Sequence, residues 1–363
     1  MGLPAFTMAR DQLLKADRAQ PSSSELFETI VESFHQVAKF DWCAVMTTDP
    51  ETHLPSGGVV EGFSPDDCVP FWDNELLDPD FNKFSDLAQR SDPIATLRNT
   101  VDGDLFRSPR YANVYVHLGV ADELRLAFVA GSSCLGVGVF VRSEADGPFT
   151  LEELADVRQL VPVVTGILRR AQGRGMEEAA TGARVVIMLD AADEVVAITP
   201  GGWEILDDLR TEPVDGKLPG LISAAASKVR AGRIDPHLTT RLRDRNGRWL
   251  RMDASSIEGE PGMVVLTIGP ARADDLVKVL LDSYGLTARE TEIALCVCRG
   301  LSTKDIASEL TISTHTVRDH IKTVFAKAEV STRGELMASL FANHVFDRFH
   351  ANTTHMPGMS PNR

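Results

Sequence analysis

The chain is poor in cysteine, poor in tyrosine and without a long uninterrupted apolar run. Its five cysteines, Cys43, Cys68, Cys134, Cys296 and Cys298, form no paired framework, which excludes a disulfide-stapled scaffold and fits a reducing compartment. Cys296 and Cys298 stand two apart on an expected helix, about 200° around its axis, so they cannot share one metal ion. Cys43 and Cys134 fall inside expected strands and read as core residues. The N-terminus lacks the basic-then-apolar layout of a secretory signal. The longest apolar stretch, Leu126 to Val141, is interrupted by Gly131-Ser132-Ser133. It reads as two strands and a turn, not as a membrane span. A soluble, cytoplasmic protein without membrane contact is expected.

Catalytic patterns are missing as well. There is no G-x-x-x-x-G-K-[ST] and no H-E-x-x-H, which removes the P-loop and zincin chemistries. The glycines between Gly131 and Gly138 lie within the strand pair and lead into no helix. His35, His53 and His117 are scattered and read as structural. The first strand-like run is not followed by the βαβ alternation of a phosphoacceptor receiver. No enzyme activity, cofactor or metal is expected. Trp42, Phe71 and Trp72 either line a pocket or pack a core.

What is present begins with charge. The formal net charge is −15, and it is unevenly spread. Gly285 to Val345 holds seven Lys/Arg and seven Asp/Glu, and the tail 346–363 adds +1, leaving −16 on the first 284 residues. An acidic body of this kind repels phosphates. It either competes for a basic face of the C-terminal segment or simply keeps the body in solution.

Leu286 to Leu340 parses into four short helices. Thr287 with Glu290, and Ser302 with Asp305, have capping-box spacing. Ser313 caps a third helix and Ser331 a fourth. Gly300 stands where the first helix should stop. Only Thr311 and Ile312 separate Leu310 from Ser313, which reads as helix-turn-helix. In the third helix, from about Thr314 to Ala328, the residues Val317, Ile321, Val324 and Ala328 share one stripe, with Phe325 at its edge. The opposite face carries His315, Arg318, Asp319, Lys322 and Ala326. A buried stripe backed by donors and one small residue suits insertion into a major groove.

This segment resembles the C-terminal DNA-binding domain of LuxR-type transcriptional regulators. The marks are Leu286-Thr287-x-Arg289-Glu290, Gly300-Leu301-Ser302, Lys304-x-Ile306-Ala307, Leu310-x-Ile312-Ser313, Thr316-Val317-x-x-His320 and Lys327-x-x-Val330-x-x-Arg333. The resemblance implies that the third helix reads base edges and that the fourth helps pair two subunits on a two-fold site. It implies base-reading roles for Arg318, Asp319 and Lys322, and phosphate contacts for Lys304, Thr314, Thr316 and His320. Ser313 and His315 complete the candidate interface. Asp319 departs from a purely basic reader: it accepts a bond from a cytosine, holds Arg318 or Lys322 in one pose, or faces solvent.

Upstream, the expected order is a polar lead (1–20) and then a unit over 21–171. That unit runs helix, strand, irregular middle, two strands and a long amphipathic helix from Glu152 to Arg170. Its layout resembles a GAF domain. A glycine-rich linker follows (172–183). Residues 184–270 run two strands, short helices and three antiparallel strands, an order that resembles a PAS domain. Within them, Asp244-Arg245-Asn246-Gly247 carries the Asn-Gly hairpin signal, in which both positions accept positive φ. The glycines 57–58 are expected to break the first strand from the next. A linker helix (271–284) leads to the helix-turn-helix domain (285–345) and a tail (346–363).

The fold class expected is α+β and multidomain, GAF-like and PAS-like units followed by an all-α domain. The function expected is a homodimeric regulator of transcription that binds double-stranded DNA, with a small-molecule effector sensed upstream. A constitutive DNA binder whose upstream units only dimerise stays open, as does an enzyme with an appended DNA-binding domain.

Overall fold

The computed structural model describes residues 5–131, 133–172, 183–210, 218–232 and 237–341. The expected linker over 172–183 lies almost wholly outside them, as does the tail.

The first described elements are two helices, α1 (Ala5–Ala19) and α2 (Ser23–Val37), the second started by a Ser22/Glu25 capping box. Next come β1 (Trp42–Thr48), β2 (Pro55–Glu61) and α3 (Pro65–Leu76), α3 with a Ser64/Asp67 box. The irregular middle holds α4 (Phe84–Leu87), β3 (Ile94–Thr96), α5 (Leu97–Thr100) and short turns of tighter and wider helix up to Leu118. The strands β4 (Val120–Ala130) and β5 (Ser133–Ser143) pair as expected, and α6 (Leu151–Ala171) follows from a Thr150/Glu153 box.

The first sheet is antiparallel, in the order β2-β1-β5-β4-β3. Because side chains alternate across a strand, Val45, Leu124, Leu126, Phe128 and Phe140 face α1, α2 and α6. Ala44, Met46, Val137 and Val139 face α3 and the irregular middle. The glycines 57–58 do not break the strand; they lie inside β2. Gly58 sits at φ +150°, and a Cβ there would come within 2.3 Å of the Val45 carbonyl. Glycine is what lets β2 pair this closely with β1.

The second sheet runs β7-β6-β10-β9-β8, also antiparallel. Its members are β6 (Val185–Leu189), β7 (Val195–Ile198), β8 (His237–Arg243), β9 (Trp249–Ile257) and β10 (Glu260–Pro270), with α7 (Gly202–Asp208) and α8 (Gly220–Arg230) between β7 and β8. The β8–β9 hairpin differs from the two-residue turn that Asn-Gly suggests. Five residues cross from Arg243 to its partner Trp249, and of the Asn246-Gly247 pair only Gly247 has positive φ, +79°. The Asp244 carboxylate organises the loop, accepting from the amides of Asn246 and Arg248, each at 2.9 Å. A side-chain acceptor at the right place outcompetes the local dipeptide preference.

The two sheets share one apolar interior. Residues from both, such as Met46 and Val139 with Ile187 and Leu266, belong to one continuous buried cluster. The helix α8 starts against α3, with the Gly220 backbone beside Cys68 and Trp72. A buried polar seam reinforces the contact. The Asp49 carboxylate accepts from the Arg241 amide (3.0 Å) and guanidinium (3.1 Å), and the hydroxyls of Thr52 and Thr240 meet at 3.0 Å.

The C-terminal unit is all helical: α9 (Ala273–Ser283), α10 (Ala288–Cys298), α11 (Thr303–Glu309), α12 (Thr314–Lys327) and α13 (Arg333–Phe341). Its own core, from Leu276 to Leu336, includes Trp249 of the second sheet. No helix among the described residues is long and apolar enough to cross a membrane. Nor do the described residues hold a cluster of His, Cys, Asp or Glu suited to a metal ion.

Candidate nucleic-acid interface

The helix ends of the C-terminal unit are set by side-chain chemistry. Thr287 and Glu290 form a reciprocal capping box on α10, and Ser302 and Asp305 one on α11. Ser313 caps α12, its hydroxyl accepting from the Thr316 amide at 3.1 Å. The cap of α13 is Thr332 and not Ser331. The Thr332 hydroxyl accepts from the Glu335 amide at 3.0 Å, and the Glu335 carboxylate takes the Ser331 amide at 2.6 Å. Capping begins one residue later than expected because that shift lets Glu335 satisfy the preceding amide too.

Each of α10, α11 and α12 stops with the same pair of reverse bonds. The Leu301 amide reaches back to Cys296, Ile312 to Ala307 and Val330 to Phe325. The residue before each donor is left-handed: Gly300 (φ +77°), Thr311 (φ +53°) and Glu329 (φ +57°). This is the Schellman closure. Glycine suits the first; a β-branched threonine at the second is strained. The strained residue is in the turn between α11 and α12, so the crossing of those two helices is held against a local cost. Arg289 secures the same turn by donating to the Leu310 carbonyl at 2.8 Å. Sequence reading found the turn but not its geometry, because threonine gives no left-handed signal.

On α12, Val317, Ile321 and Val324 are buried. His315, Arg318, Asp319 and Lys322 are exposed, on the opposite stripe. Ser313 and Thr316 are exposed at its start, their hydroxyls 2.8 Å apart. Thr314 and His320 are half-buried, and Lys304 is exposed at the start of α11. Asp319 holds neither Arg318 nor Lys322. It pairs with His315 Nδ1 at 2.9 Å, one helical turn back. The i, i+4 spacing was in the sequence and would have given the pair.

The neutral formal charge of this unit resolves when each cation is followed to its partner. Arg289 pairs with Glu292 (2.7 Å), Arg299 with Glu309, and Lys327 with Glu290 (2.6 Å). Arg333 donates to the Leu301 carbonyl at 2.6 Å and the Thr303 hydroxyl at 3.0 Å. Burial pushes the Glu290 carboxyl up, but the Lys327 ammonium and the Thr287 cap outweigh it and hold it below the ordinary carboxylate value. Among the described residues, Lys304, Arg318 and Lys322 make no hydrogen bond or ion pair. These three lie on α11 and α12, the two helices of the turn.

Ties to the rest of the chain are sparse on this side. Arg169 at the end of α6 reaches Glu329 just past α12, at 3.5 Å. The stripe from His315 to Lys322 stays open to solvent.

Comparison with known proteins agrees with this geometry. Residues 284–340 match the family model described as bacterial regulatory proteins, luxR family. The monoamine regulon transcriptional regulator of Klebsiella aerogenes is 49% identical over 53 residues, which is 15% of this chain and 23% of that protein. The uncharacterized transcriptional regulatory protein YhcZ of Bacillus subtilis (strain 168) is 42% identical over 59 residues, 16% of this chain and 27% of that protein. The chain thus matches only about a quarter of the length of these relatives. Among solved structures, SdiA in complex with octanoyl-rac-glycerol aligns over 94% of this chain and 97% of its own, with 13% identity and a TM-score of 0.36. The C-terminal unit is a LuxR-family helix-turn-helix domain.

Proposed function

We propose that this chain is a cytoplasmic transcription regulator that reads a two-fold operator through α12, as a homodimer. The observation that carries the reading is the placement of the unpartnered cations. Four of the unit's seven Lys/Arg are engaged internally, and the remaining three sit on the helix-turn-helix pair. Arg318 and Lys322 are aimed at base edges, with Asp319, oriented by His315, accepting from a base amino group. Lys304, Thr314, Thr316 and His320 contact phosphates, and Ser313 presents the first turn of α12 to the backbone. The first sheet with its helices is a GAF-like unit and the second a PAS-like unit. Their role is to set the spacing of two reading helices, which must match half-site separation.

A second reading has its own support: the upstream units only dimerise. The face of the first sheet under α3 and the irregular middle is filled by the protein's own side chains. Arg110, Tyr115 and Arg125 are fully buried there around Glu123, with Arg110–Glu123 at 2.7 Å and Tyr115–Glu123 at 2.8 Å. Little room is left for an effector. The cavity nearby, lined by Phe63, Phe71, Trp72, Val114 and Val139 among others, holds about 430 Å³ including its open mouth.

The test is selection of bound sequences from a random duplex pool, using the full-length protein beside an Arg318→Ala/Lys322→Ala variant. A symmetric motif recovered by the first and lost by the second is expected. No enrichment by the full-length chain, or the same motif from both, would overturn the reading.

A further inference from the structure

The solvent-facing stripe of α12 contains one acid, and a histidine is bonded to it. His315 Nδ1 lies 2.9 Å from an Asp319 carboxylate oxygen, and the two side chains are 84% and 57% exposed. Among the described residues neither side chain has another polar partner. Arg318 and Lys322 on the same stripe contribute +2 and Asp319 −1, so the stripe carries +1 with a neutral imidazole and +2 with a protonated one. One proton on His315 therefore doubles the charge that this face offers to a polyanion.

The helices packed against α12 carry other titratable and charged groups, and these are committed elsewhere or fixed in charge. On α10, Arg289 pairs with Glu292, Glu290 pairs with Lys327, Cys296 is buried, and burial pushes the Cys298 thiol up to about 11. On α11, Asp305 closes the Ser302 cap, Glu309 pairs with Arg299, and Lys304 is a cation throughout. His320, half-buried on α12, is the other imidazole of the interface. His315 is thus the group of the exposed stripe whose charge changes in the physiological range.

We propose that His315 is a proton-dependent specificity residue: its protonated imidazole holds and neutralises Asp319, leaving the second carboxylate oxygen to accept from a cytosine amino group in the major groove. This role rests on the regulator reading above. A lone carboxylate between two rows of phosphates is repelled. The N-terminal dipole of α12 opposes a cation in its first turn; Asp319 and the phosphates favour one. The duplex therefore draws a proton onto His315, and binding takes that proton up. As pH rises the proton is lost, with two effects. The stripe gives up one positive charge, which weakens binding to any sequence. Asp319 is left uncompensated against the phosphates, which relaxes preference at the base pair it reads.

The experiment uses the full-length protein and its selected operator at one salt concentration, since phosphate contacts respond to salt. Asp319→Ala first identifies the base pair that Asp319 reads, as the position where preference relaxes. The quantity followed is the ratio of affinities for the operator and for the same duplex changed at that pair, at about pH 6 and about pH 8, on either side of imidazole titration. In the unaltered protein the ratio is expected to fall about threefold or more with rising pH, a modest part of what a base contact is worth. In His315→Gln, which keeps a donor but takes no proton, the ratio should be the same at both. His320→Gln should keep the fall. Both His315 and Asp319 are exposed, so their variants should fold as the parent does. A ratio independent of pH, or a fall that survives His315→Gln and follows His320 instead, would overturn the role, as would an Asp319→Ala variant that relaxes no position. A chain that selects no operator loses the regulator reading and this role with it; a pH-independent ratio on a selected operator removes this role alone.

Discussion

On one face of the first sheet, Arg110, Glu123 and Arg125 face one another with no access to water; on α12, Arg318 and Lys322 face water with no partner among the described residues. Both regions use the same side-chain chemistry with opposite outcomes. In the first, Glu123 is locked between a guanidinium and a phenol. Burial alone would lower the Arg110 pKa, and the Glu123 carboxylate outweighs it and raises it. Burial also drives the Tyr115 phenol well above its ordinary value, so it stays a donor. Such charge specifies one packing of the core. In the second region the charge is uncommitted, and a polyanion can claim it. Net charge for the chain, −15, describes neither place.

The largest test of this contrast is Glu123→Gln, which removes the buried charge and keeps its shape. Arg110 loses its close carboxylate and keeps only Asp80 at 3.6 Å, while Arg125 keeps Glu75 at 2.7 Å, and a loss of about 3 kcal/mol is expected in denaturant unfolding. A loss below about 1 kcal/mol would mean that packing, not pairing, holds this core. Next comes Arg318→Ala. Operator affinity should fall by about 1–3 kcal/mol, with preference relaxed at one base position while thermal stability is kept. An equal loss on every sequence would make Arg318 a phosphate contact. Thr311→Gly separates stability from charge altogether. Relief of the left-handed threonine should stabilise the fold by roughly 1 kcal/mol, offset in part by the freer unfolded chain. Operator affinity should not move. The smallest effect is Lys304→Ala: a uniform weakening, with the slope of log affinity against log salt reduced by about 1.

The sequence carried what local chemistry decides. The boxes at Ser22, Ser64, Thr150, Thr287 and Ser302 have their partner three residues away, so spacing alone predicts them, and the helix starts followed. The buried and exposed stripes of α12 follow from helical period in the same way. What could not be read depends on residues far apart in the chain. The strand β3 is three residues long and exists because β4 offers it an edge. Glu123 meets Glu75's partner Arg125 and Asp80's partner Arg110 only once α3 and the irregular middle fold over the sheet. The fate of Ser331 shows the limit even locally: two adjacent hydroxyl residues could each cap α13, and the choice fell to Glu335.

The glycine-rich stretch between the first two sheets invites a cut, and a shared interior changes what that cut would do. With Met46, Val139, Ile187 and Leu266 in one buried cluster, the two sheets form a single melting block. Calorimetry should record one transition for both. Nicking the stretch should leave the pieces clasped together, as a hinge pin removed from a welded door leaves the door shut.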